Sequence, residues 1–145
     1  GFDKDVQYES MIQGTPVEYR IYKSRDDELK ELLTILKELS DNKVENGRIT
    51  ILSPYKREKS VVSMLSGVKV ENYTVPVPEE ITFNTIQGFK GLENTVIILT
   101  DIESYEDIKL AYVAFSRAKS GLYVLHSKVA HDEYNQICIR RVLNG

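Results

Sequence analysis

A chain of 145 residues, 41% hydrophobic and 28% charged, is long enough for one domain with a sizeable core. Its formal net charge of −3 excludes a surface that is basic throughout, so any nucleic-acid contact must come from a local patch or a partner domain. No apolar run approaches the roughly twenty residues that span a bilayer, the polar start carries no signal-peptide pattern, and the lone Cys138 permits no internal disulfide, which together predict no membrane partner and a reducing compartment, the cytoplasm.

Residues up to Pro16 carry no clear pattern. Val17 to Tyr22 alternates apolar and polar side chains, the period of a half-buried strand. Asp26 and Asp27 then open a helix whose Leu29, Leu32, Leu33, Leu36 and Leu39 fall on one face, ended by Asp41, Asn42 and Asn46-Gly47. Ile49 to Leu52 predicts a short buried strand, and Ser53-Pro54 leads into a helix carrying Val61, Val62, Met64 and Leu65. Tyr73 to Val75 is a candidate strand, with Pro76 and Pro78 barring a helix.

A strand at Ile81 to Phe83, a glycine turn and an apolar strand at Val96 to Leu99 come next. A helix from about Glu106 to Lys119, a strand at Leu122 to Leu125 and a closing helix with Tyr134, Ile137, Cys138 and Val142 complete the chain. Alternating strands and helices predict one α/β domain, a mostly parallel sheet covered on both faces. Neither a repeat nor a linker divides residues 1–145.

The glycine turn, Thr85-Ile86-Gln87-Gly88-Phe89-Lys90-Gly91-Leu92-Glu93, is the most informative stretch. Gly88 and Gly91 let backbone approach a ligand, Lys90 can neutralise a phosphate and Glu93 can accept hydrogen bonds from ribose hydroxyls. The same residues also suit a tight turn with solvated charges, and Gly88 to Gly91 matches the GXXG loop of KH modules, although that loop joins helices rather than strands. Arg117 offers an always-charged fork suited to a γ-phosphate, beside Ala111, Ala114 and Ala118, or else serves a last helical turn.

Lys56 and Arg57 follow a strand and could reach a phosphate or be plain surface. Ile97 to Asp101 imitates the apolar strand that ends in a magnesium-binding aspartate, but no G-x-x-x-x-G-K-[ST] element accompanies it. Asp101, Glu103, Glu106 and Asp107 are therefore expected to be a solvated loop and helix start. His126 and His131 have no further ligand at metal spacing, so no metal is expected, and Cys138 reads as a buried thiol.

Thr85 to Glu93 resembles the T-x-H-x-x-K-G-L-E segment, motif V, of superfamily 1 helicases of the UvrD/Rep/RecD kind. Tyr112 to Lys119 resembles their motif VI, and Ile49 to Arg57 the weaker motif IV, so the likeness covers about residues 49–126. It implies a RecA-like three-layer αβα domain, the second of two, serving an ATP-dependent helicase or translocase. By that likeness Arg117 is the arginine finger, Arg57 and Lys90 contact phosphate, Gly91 gives backbone room and Glu93 holds the ribose. Thr85 and Gln87 lie at the backbone of single-stranded DNA or RNA. ATP with Mg²⁺ would be held mainly by an N-terminal RecA-like domain of the same full-length chain, since this one lacks the phosphate loop. An isolated chain is then expected to be inactive. Besides the missing phosphate loop, two departures stand out. Gln87 replaces the usual histidine, and the short span from Arg57 to Ile81 leaves no room for a large insertion domain. The rival reading is a non-catalytic binding or regulatory module on the same fold; convergence of Arg57, Glu93 and Arg117 on one edge of the sheet would favour the motor, and their dispersal the module.

Overall fold

The structure, a computed structural model, describes residues 16–72, 76–105 and 117–144, with side chains up to Ile137. Strand β1 (Val17–Tyr22) leads into helix α1 (Arg25–Asp41), then β2 (Ile49–Ser53), β3 (Val70–Asn72), β4 (Ile81–Thr85), β5 (Asn94–Ile102), β6 (Ala118–Ser127) and helix α2 (Lys128–Asn144). Among the described residues the strands form one sheet in the order β1-β6-β5-β2-β4-β3, and every pairing is parallel. Parallel strands covered on both faces need apolar side chains pointing both ways, and β2 is buried at every position.

The two faces bury different clusters. On one, Ile97 and Leu99 of β5 pack with Leu52, Leu122 and Val124, with Ala130 and Tyr134 of α2, and with Ile86 and Phe89 of the glycine turn. On the other, Val96 and Ile98 pack with Ile51, Phe83 and Leu125 beneath Leu32, Ile35, Leu36 and Leu39 of α1. Alternation along β5 thus joins the layers into the RecA-like αβα sandwich that the strand–helix order predicts.

Helix α1 begins just before its acidic pair. Ser24 is the N-cap: its hydroxyl accepts from the Asp27 amide at 3.1 Å, while the Asp27 carboxylate accepts from the Lys23 amide at 2.9 Å. The buried stripe runs through Leu32, Ile35, Leu36 and Leu39, and Leu33 faces solvent. Asn42 caps the C-terminus, as the sequence predicts.

Three local expectations are corrected. In place of a helix after Pro54 there are two short 3₁₀ turns, Arg57–Lys59 and Val61–Met64. The Val61 amide is donated to the Asp101 carboxylate at 3.0 Å, which withdraws it from an α-helical ladder. Strand β6 begins at Ala118, so Ala118 and Lys119 leave the expected helix, claimed by the pairing Asn94↔Ala118 with β5. Asp101 belongs to β5 and is fully buried rather than solvated. The expected strand at residues 73–75, the helix over 106–116 with Glu106 and Asp107, and the Cys138 side chain lie outside the described residues.

Candidate functional site

In an all-parallel sheet the strand ends sort onto two opposite rims, and the sequence-predicted site residues divide between them. Ser53 and Thr85 are register partners at the carboxyl ends of β2 and β4. Beyond them lies a groove of about 410 Å³ lined by Lys56, Arg57, Glu58, Asn72, Phe83, Asn84, Thr85 and Gly88. Arg57 donates to the Asn72 side chain at 2.8 Å, and the Gly88 amide donates to the Thr85 hydroxyl at 2.9 Å. A side chain at Gly88 would collide with those of Asn84 and Thr85 and would have to displace them.

Glu93 and Arg117 sit at the other rim. Each immediately precedes its strand, and the Asn94 amide donates to the Arg117 carbonyl at 3.1 Å, fastening the two strand starts side by side. Glu93 pairs with Lys119 at 3.2 Å, with both side chains more than half exposed, a contact worth little in stability. Arg117 makes no ion pair among the described residues, and its Nε is buried with no hydrogen-bond partner there. Arg57 therefore does not join Glu93 and Arg117; it joins Thr85.

Residues 86–92 carry the chain from one rim to the other. The Phe89 amide donates to the Thr85 carbonyl and the Leu92 amide to the Phe89 carbonyl, both at 3.0 Å, giving a helical turn. Phe89 and Ile86 are sunk in the core, while Gln87 and Lys90 point to solvent. Gly91 has φ +81 with open space about it, so its glycine serves a left-handed turn that delivers Leu92 and Glu93 to β5.

Beside the groove lies a polar hub that sequence reasoning missed. The Asp101 carboxylate accepts from the hydroxyls of Ser53 (2.7 Å), Ser60 (2.6 Å) and Thr100 (2.7 Å) and from the Val61 amide, and it pairs with Arg25. Its backbone is left-handed (φ 62), and the β5–β6 register shifts between Leu99 and Ile102. The amide thus freed from the ladder donates to the buried Glu28 carboxylate at 2.6 Å. Burial alone would raise the Asp101 pKa, but the hydroxyls of Ser53, Ser60 and Thr100 and the Val61 amide outweigh it and hold the carboxyl below its ordinary value. Glu28 goes the other way. Burial, then the Asp101 charge, pushes it up to about 8 against the pull of the Asp101 amide and Arg25. An acidic residue closing a buried strand, with two serines where the neighbouring strand exits, was the available signal.

A second buried polar group closes the far side of the same rim. His126 is fully buried, with its ring nitrogens 3.0 Å from the Tyr105 hydroxyl and 3.3 Å from His131. Burial, then His131, lowers its pKa to about 3, so it is a neutral packing group.

The family described as AAA domain matches residues 11–129, most of the chain. The chain belongs to that family. It is 29% identical over 110 residues to Helicase SEN1 of Saccharomyces cerevisiae, a match that covers 66% of this chain and 5% of that protein. The chain therefore spans about a twentieth of the length of this relative. In three dimensions it is similar to the crystal structure of the C-terminal domain of a possible DNA helicase from Lactobacillus plantarun WCFS1, with a TM-score of 0.62 at 15% identity. That similarity covers 94% of this chain and 90% of the other, and it establishes the fold. Together these place the chain in the AAA-domain family with a RecA-like fold.

Proposed function

We propose that this AAA-family domain is the second RecA-like lobe of a superfamily 1 ATP-dependent helicase or translocase. Its two rims have separate tasks. The amino rim, with Arg117 as arginine finger and Glu93 as ribose contact, closes on ATP and Mg²⁺ held mainly by an N-terminal lobe. The carboxyl rim, with Thr85, Gln87 and the basic pair Lys56 and Arg57, lies along single-stranded DNA or RNA. Arg57 therefore belongs with the strand rather than the nucleotide. The eight residues from Ile86 to Glu93, with Lys90 on their solvent side, tie one rim to the other, so that nucleotide closure and strand grip move together.

One observation carries this reading. Arg117, lashed beside Glu93 by the Asn94 amide, keeps a buried Nε that finds no partner among the described residues, and a donor left unsatisfied costs about 1–3 kcal/mol. An incoming anion would relieve that cost. The alternative of a solvated arginine supporting the end of a helix predicts no effect on chemistry. The test is the full-length protein carrying both lobes. Arg117→Ala is expected to reduce nucleic-acid-stimulated ATP turnover by about 10³-fold or more, as for arginine fingers in related phosphoryl transfer, with strand affinity little changed. A variant that hydrolyses ATP within a few-fold of the parent would sink the assignment and favour the non-catalytic module.

A further inference from the structure

The chain leaves β2 at Pro54, runs outward and returns at Lys59, and none of residues 54–59 is buried. Such a loop has no core of its own to hold its shape. Both of its feet are nevertheless tied to one carboxylate. The Ser53 and Ser60 hydroxyls donate to the same oxygen, Oδ2 of Asp101, and the Val61 amide donates to Oδ1. The Tyr55 amide then donates to the Ser53 hydroxyl at 3.0 Å, extending the tether one residue into the loop. Arg25, paired with Asp101 and Glu28, reaches the Lys59 carbonyl at 3.4 Å. Lys56 and Arg57 ride on this loop, across the groove from Thr85 and Gly88.

We propose that Asp101 is the positioning residue for the strand grip of this domain: by stapling both feet of the 54–59 loop it holds Lys56 and Arg57 at the spacing where a backbone phosphate fits between them and the Thr85–Gly88 turn. The inference rests on the reading of the carboxyl rim as the nucleic-acid side. Asp101 itself touches no ligand and carries the wrong charge to do so. Its contribution is geometric. It converts a solvent-exposed excursion into a fixed arm, so the ordering cost is met in folding rather than on binding. Glu28 and Arg25 complete the hub, and Tyr22 and Glu103 face it from β1 and the end of β5.

The experiment uses the 145-residue chain with Asp101→Asn, Ser60→Ala and the double variant Lys56→Ala/Arg57→Ala. Amide exchange at Tyr55 and Val61 reads the loop, and the anisotropy of a labelled oligo(dT) across a salt series reads the grip. Asp101→Asn and Ser60→Ala are expected to speed exchange at both amides by about tenfold or more, the equivalent of one charge-assisted hydrogen bond, while Ile98 in the sheet stays protected. Each should weaken oligo(dT) binding and flatten the salt dependence, by about 0.7 in log–log slope for every phosphate that is no longer neutralised. Combined with the Lys56/Arg57 pair, they should add nothing more. Ser60→Ala keeps the buried carboxylate and its Arg25 partner, so it reports even if Asp101→Asn fails to fold. A loosened loop with parental affinity and slope would make the hub merely structural, and unchanged exchange would show that it does not hold the loop; either overturns the proposal. Parental binding by the Lys56/Arg57 double variant would instead remove the nucleic-acid reading of the rim, whatever the exchange data, and the proposal with it.

Discussion

Glu28 is buried one helical turn from the start of α1, against a second carboxylate and a single arginine. Its folded pKa of about 8 exceeds the ordinary 4.5, so the native state binds a proton that the unfolded chain has already released across that interval. Stability attributable to this group is therefore complete below about pH 4.5, falls as pH rises and levels off above about 8. Glu28→Gln, which keeps the shape and cannot ionise, should lose this dependence. Urea unfolding from pH 5 to 9 is expected to show the variant gaining on the parent by an amount on the order of 1–3 kcal/mol. That range follows from about 1.4 kcal/mol for each tenfold change in proton affinity, discounted for relaxation around the buried charge. Parallel profiles would refute the raised proton affinity of Glu28. The sequence could not announce this pair, because Glu28 and Asp101 lie 73 residues apart and each reads singly as a surface acid.

The glycine-turn segment illustrates how one element serves two rims. Its ends were legible: glycines, a lysine and a glutamate between two β-type runs predict a turn at a strand end. That it crosses the sheet follows from the parallel sense of β4, β2 and β5, which puts Thr85 and Asn94 on opposite rims. Phe89 is the nail of this crossover, about 1% exposed against Leu52, Ile97 and Leu99. Phe89→Ala should cost about 3–5 kcal/mol through diminished burial and the cavity left behind, measured by denaturant unfolding. A cost below about 1 kcal/mol would mean that the segment is held by its hydrogen bonds instead. The stretch after Pro54 shows the opposite failure. Its apolar spacing fits a helix, yet distant hydrogen bonds from Ser60 and Val61 to Asp101 outcompete local propensity and leave 3₁₀ turns.

For the molecule as a whole, the two candidate rims lie on either side of one rigid sheet, with the cation that would act on ATP on one and the basic loop on the other. This chain contains no G-x-x-x-x-G-K-[ST] phosphate loop. By itself it should turn over no ATP and should bind single strands weakly, with affinity falling steeply as salt rises. A phosphate-release assay on the purified chain checks the first point. Turnover that Arg117→Ala abolishes would show that the division of labour between lobes is wrong. No helix among the described residues is long and apolar enough to cross a membrane.

Periodicity and turn chemistry, which depend only on neighbours in the chain, determined the α/β class, the strands β1, β2, β4, β5 and β6, the helix α1 and the glycine turn. Tertiary structure alone decided the strand order. It also decided that Asp101 is interior. A carboxylate becomes a keystone only when donors from β2, α1 and the Ser60 turn arrive around it, and no local pattern encodes the meeting of residues 40 to 76 positions apart.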